Sequence, residues 1–157
     1  MKQYTLSLIF ALIGITGFGQ ETDALPFEVV DRVPGYPGCE ELQSAFVKDC
    51  TVQKISNFVN KNFDTSLGKE LKIEGVTRIV VQFKIDENGK VTNVRSRSMD
   101  EKAEVRKALQ AEANRVVSSL PQMQPAQNDG KNVAIMYSLP IALAAPNIDE
   151  EKEEINK

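Results

Sequence analysis

Between Val76 and Asp86 the chain reads VTRIVVQFKID, which sets Ile79, Val81, Phe83 and Ile85 on one side of a two-residue period and Arg78, Gln82 and Lys84 on the other. A helix would scatter those four large apolar side chains around its axis. The pattern therefore specifies a strand with one dry and one wet face. Val80 is the single apolar residue on the wet side. Glu87-Asn88-Gly89 follows at once, and Asn and Gly tolerate the positive φ that a tight hairpin needs. A return strand is expected from Lys90 to about Ser98. The three-residue gap between Val91 and Val94 predicts a bulge or an early twist in it. Arg95 and Arg97 would join Arg78 and Lys84 on the outer face, as a solvated surface or a docking surface for an acidic partner.

From Ser98 or Asp100, either of which can cap, Val105, Ala108, Leu109, Ala113, Val116, Val117 and Leu120 recur at i, i+3, i+4 spacing until Pro121. That is an amphipathic helix with one face for the core. The segment LPQMQPAQNDGKN reads as a polar connection. Val133 to Leu143, VAIMYSLPIAL, alternates again, and Pro140 inside it removes a ladder donor, which assigns this strand to a sheet edge. Ahead of the first strand, Leu42, Ala45 and Phe46 and then Val52, Ile55, Phe58 and Val59 make helical stripes, in one helix broken near Cys50 or in two short ones. The predicted fold is α+β: a small antiparallel three-stranded sheet in order 2-1-3, one long helix packed on it, and a short helical segment in front.

The ends are of a different character. Lys2 precedes an uncharged run from Tyr4 to Phe18, and Gly17 and Gly19 supply the small residues of a signal-peptidase site, so residues 1–19 are expected to be an export signal. The competing reading is a retained anchor, for which an uncharged run of this length is short of the roughly 20 residues a bilayer requires. With the signal cleaved, no stable membrane anchor is expected. Residues 20–40 carry Pro26, Pro34, Pro37, Gly35 and Gly38 and form an extended lead-in; residues 41–145 hold the domain and its helical extension; residues 146–157, PNIDEEKEEINK, read as an acidic disordered tail. Export to an oxidising compartment and an even thiol count predict a Cys39–Cys50 disulfide. The spacing is not C-x-x-C, and two thiolates without His make an incomplete zinc shell.

Composition removes several functions. The chain has no His, so Ser-His-Asp and Cys-His nucleophile systems and His-containing zinc sites are excluded. A net charge of −3 gives no electrostatic footprint for nucleic acid. The best-placed carboxylates, Asp86 and Glu87, sit in a hairpin turn where solvation is the default. No catalytic residue, metal site or cofactor is expected, and the chain is read as a non-enzyme.

An ordered series of motifs supplies the rest. Ile73-Glu74-Gly75 precedes the first strand, which ends in Ile85-Asp86; Asn88-Gly89-Lys90-Val91 and Val94 follow; then come the amphipathic helix, Met123-Gln124-Pro125, Gly130, Val133 and Leu139-Pro140-Ile141. From Phe63 to Leu143 this series resembles the C-terminal domain of TonB, the periplasmic protein that contacts outer-membrane transporters. Val33-Pro34-Gly35-Tyr36-Pro37-Gly38-Cys39-Glu40 and Cys50 also resemble secreted TonB-like proteins of Bacteroidota. Phe63-Asp64 stands where the family usually has Tyr-Pro, and Met123-Gln124 replaces its aromatic before Pro125. The family members that transduce proton-motive force also carry an inner-membrane helix and a Pro-rich spacer. The resemblance implies a periplasmic module that takes an extended segment of an outer-membrane TonB-dependent transporter as an added strand. The implied contact surface is Val133, Ala134, Ile135, Met136, Tyr137, Ser138 and Leu139. The alternative is a structural or self-associating envelope protein, a homodimer through the same edges.

Overall fold

The computed structural model describes residues 24–144, so the expected signal at 1–19 and the acidic tail at 146–157 lie outside the described residues. The elements in order are β1 (Leu25–Pro26), α1 (Ser44–Asn62), α2 (Leu67–Glu70), β2 (Val76–Ile85), β3 (Val91–Ser98), α3 (Ala103–Ser118), β4 (Ala126–Asn128), β5 (Lys131–Val133) and β6 (Ile135–Ala144).

The expected three-stranded antiparallel sheet with one long helix is corrected on three counts. The main sheet has four strands in the order β1-β6-β2-β3, and it is mixed because β1 runs parallel to β6. A separate two-stranded antiparallel sheet, β4-β5, occupies what reads as a polar connection. Among the described residues there are three helices rather than one with a short preface. The physical reasons are local. Asp129 and Gly130 both take positive φ, 50° and 72°, which is the backbone of a two-residue hairpin turn whose twist matches its flanking strands. β1 needs only two residues to pair, so the prolines and glycines around it do not prevent it. Thr51 follows Cys50 directly, and no helix breaker interrupts the run, so α1 continues through both.

β2 is the centre of the sheet. All ten of its residues pair with β6, from Val76 opposite Ala144 to Ile85 opposite Ile135. Its other edge pairs with β3, with a register shift between Gln82 and Lys84. The shift faces Asn93, whose φ is 51°, and marks the bulge between Val91 and Val94.

The strand period buries Ile79, Val81, Phe83 and Ile85 of β2 together with Ile135, Tyr137, Leu139, Ile141 and Leu143 of β6. Val105, Leu109, Ala113, Val116 and Val117 of α3 close over them, and α1 adds Val47, Ile55 and Val59 to the same core. Each such large side chain, fully buried, contributes about 1.5–3 kcal/mol relative to exposure. Among the described residues no helix covers the opposite face of the sheet.

Polar contacts lock α1 to α3. Arg115 donates to the carbonyl of Asn62 at 2.9 Å and to Glu112 Oε2 at 2.7 Å, while Glu112 Oε1 accepts the Asp64 amide at 2.8 Å. The end of one helix is thus held by an ion pair on the other.

Candidate functional site

The site is built on β6, and its geometry follows from three facts about one strand. One side of β6 is fully paired with β2. On the other side, β1 covers only the start: Leu25 is opposite Ile135, Pro26 is opposite Met136, and the Leu25 amide donates to the Ala134 carbonyl at 2.9 Å. Beyond Met136, no strand among the described residues pairs with that side.

Backbone groups alternate in direction along a strand, so the outward carbonyl of Ala134 sets the phase. Residues 136, 138, 140 and 142 point their N–H and C=O groups away from β2. Ser138 and Ala142 therefore offer a donor and an acceptor to the open edge, and Pro140 an acceptor only. The proline sits where its missing N–H costs the β2 ladder nothing, which is why a ten-residue pairing survives it.

The seven residues expected from the sequence divide accordingly. Val133 lies in β5, opposite Ala126. Ala134 is buried and its carbonyl is taken by Leu25. Ile135, Tyr137 and Leu139 turn their side chains into the core. Met136 is half-buried beside Pro26, and Ser138 is exposed. The open edge extends three residues past Leu139 in the same phase, to Ala142. Sequence reasoning missed Pro26 and Phe27, which border the site from the lead-in. Phe27 is buried with its ring edge-on to Tyr137 at 4.8 Å, and Tyr137 in turn leans on Phe83 at 5.3 Å. The apolar cluster from Ala24 to Phe27 in an otherwise Pro- and Gly-rich lead-in was the available signal.

Where β1 stops, a surface notch of about 380 Å³ opens between Pro26, Phe27, Glu28, Met136, Tyr137 and Ser138. Burial, with help from the negative charge of Glu28, holds the Tyr137 phenol above its ordinary pKa. It remains a neutral hydroxyl at any physiological pH.

The lead-in that carries β1 is fastened along its length. Arg32 and Gln127 exchange backbone hydrogen bonds of 3.0 and 2.9 Å, and Gly35 and Gln124 exchange bonds of 3.1 and 2.8 Å. Thr51 Oγ1 donates to the Pro34 carbonyl and accepts from the Tyr36 amide, each at 3.0 Å. The Cys39–Cys50 disulfide closes the series, as the even thiol count predicted.

Asp86 has a structural occupation: its Oδ1 accepts the amides of Asn88 and Lys90, both at 2.9 Å. Among the described residues no group of three or more Cys, Asp or Glu side chains is placed to hold a metal ion. No helix among them is long and apolar enough to cross a membrane.

The elements from α2 through β6 carry Asn88-Gly89, the apolar α3 face and Leu139-Pro140-Ile141 in that order. Residues 68–142 match the family of the Gram-negative bacterial TonB protein C-terminal domain. The TonB C-terminal match covers β2, β3, α3, β4, β5 and nearly all of β6, and leaves α1 and the lead-in outside it. It supports a role in protein–protein interaction. No curated protein and no solved structure matches the chain.

Proposed function

We propose that this protein is a periplasmic, non-catalytic binding module that takes an extended segment of an outer-membrane TonB-dependent transporter as a further strand on β6. The observation that carries the reading is the half-open edge. β1 occupies Ile135 and Met136, and the adjacent length from Ser138 to Ala142 presents alternating backbone donors and acceptors to solvent. Uncovered edges are hazards that proteins ordinarily blunt, so a long one on a well-packed sheet favours use. Main-chain hydrogen bonds would supply affinity, and the notch beside Tyr137 would receive one partner side chain and so set register. The TonB C-terminal match at 68–142 points in the same direction.

A second reading, self-association through sheet edges, is favoured by the outer edge of β3, which also pairs with no strand among the described residues. One titration separates the two. Isotope-labelled protein is titrated with periplasm-facing N-terminal peptides of outer-membrane transporters at several protein concentrations. Strand addition predicts saturable amide shifts at Ser138–Ala142 that do not depend on protein concentration. Absence of shifts across the panel, with the edge amides protected and the mass doubling as concentration rises, would transfer the edge to self-pairing.

A further inference from the structure

The face of the sheet that no helix among the described residues covers has an unusual charge pattern. Its exposed and half-exposed positions are Val76, Arg78, Val80, Gln82 and Lys84 on β2, Thr92, Arg95 and Arg97 on β3, and the even-numbered residues of β6 from Met136 to Ala144. Four of these carry positive charge and none is Asp or Glu, in a chain whose net charge is −3. Among the described residues, none of the four cationic side chains makes a hydrogen bond or ion pair. Solvated sheet faces usually intersperse both signs, and cross-strand opposite charges are stabilising. Here no described residue supplies the counter-charge.

The register gathers these groups. Arg97 lies opposite Val80 and Arg95 opposite Gln82, while Pro140 and Ser138 flank the same two β2 residues on the other side. A shallow cleft of about 340 Å³ runs between Val80, Gln82, Arg95, Arg97 and Met99. Its apolar part is built from Val80 and from Met99, which is 57% exposed. The arrangement is an apolar floor with a guanidinium row along one wall.

We infer that this face is a second docking surface, distinct from the β6 edge, and that its occupant is an acidic protein segment in extended conformation. Arg95 and Arg97 are two residues apart on one strand, roughly 7 Å along its axis. Carboxylates on alternate residues of an extended partner repeat at that distance, and guanidinium groups donate to them in bidentate pairs. An anionic bilayer is the poorer fit. Membrane-lying surfaces present clustered aromatic or large aliphatic side chains, whereas among the described residues this face carries no aromatic residue and its exposed large apolar side chains are Val76 and Met99, on different strand ends, with Val80 half-buried between them.

The test uses the full chain and a twelve-residue peptide alternating Glu with Thr, its Gln-Thr counterpart, and phosphatidylglycerol vesicles. At low salt the acidic peptide should bind at least tenfold more tightly than the neutral one, with amide shifts at Arg78, Arg95 and Arg97 rather than at Ser138–Ala142. The double variant Arg95→Gln, Arg97→Gln should lose at least tenfold while its melting temperature is unchanged, and added salt should reproduce that loss. Equal binding of the two peptides, or an undiminished affinity in the double variant, overturns the inference. So does capture by vesicles without binding of the peptide. If the peptide binds only after Asp149, Glu150, Glu151, Glu153 and Glu154 are neutralised to amides, the occupant is this chain's own C-terminal segment and the proposal of a separate partner is overturned.

Discussion

At Gly89 the hairpin and the loop after α3 meet backbone to backbone. Its φ is 78°, and a Cβ built there would stand 1.7 Å from the Met123 carbonyl oxygen, whose own amide donates to the Gly89 carbonyl at 2.9 Å. Gly75 has a similar φ of 72° but open space around it. The two positions separate conformational strain from collision. Gly75→Ala should cost about 1–2 kcal/mol, the penalty of a left-handed alanine, whereas Gly89→Ala should cost about 3 kcal/mol or more because backbone has to move; urea midpoints of the two variants check the difference. The turn at Asn88-Gly89 was legible from residue type alone. Its contact with Met123 was not, since 34 positions separate the two and nothing about a methionine announces a glycine as its neighbour.

Among the elements, the clasp between α1 and α3 depends on ionisation. The hydrogen bond from Arg115 and the backbone bond from Asp64 hold the Glu112 carboxyl below its ordinary value of 4.5. Protonation in the folded state is therefore harder than in the unfolded state. The resulting stability is present in full above the unfolded value and is lost as pH falls through the lower folded one. The gap in stability between wild type and Glu112→Gln should be constant from pH 7 down to about 5 and should shrink below 4, measured by denaturant titration at each pH. β6 supports a second prediction. Pro140→Val would add an outward N–H to the open edge without disturbing its pairing to Val80. One added main-chain hydrogen bond of about 1 kcal/mol should tighten binding of a strand-adding peptide by roughly fivefold, and the same change should promote dimerisation at high concentration. Calorimetric titration and sedimentation read the two effects. The proline suggested a sheet edge for this strand, but β6 lies between β1 and β2 and its outer side is unpaired among the described residues only past Met136; that the imino nitrogen turns outward depended on which residues β2 pairs with.

For the molecule as a whole, the lead-in is the part that converts a sheet and helix into the described fold. It crosses from the β6 edge, past the β4-β5 hairpin, to α1, where Cys39 and Cys50 are joined across a sequence separation of 11. Closing a loop of that size is worth on the order of 2–3 kcal/mol in the chain-entropy model. Cys39→Ser with Cys50→Ser should lower global stability by about that amount, read from urea unfolding, and hydrogen exchange at Leu25 should accelerate as β1 loosens. The sequence by itself determined the alternating strands β2 and β6, the apolar stripe of α3, the hairpin between β2 and β3 and the pairing of the only two thiols, because each is written in residues close together along the chain. Only the tertiary structure decided that β1 joins the sheet in parallel, that Asp129-Gly130 closes a separate hairpin, and that no strand among the described residues pairs with the outer side of β6 past Met136. The hairpin is local and was hidden by its polar sequence, whereas the pairing of β1 with β6 joins segments about a hundred residues apart, where the free energy of pairing is set by which edges the rest of the core has already covered.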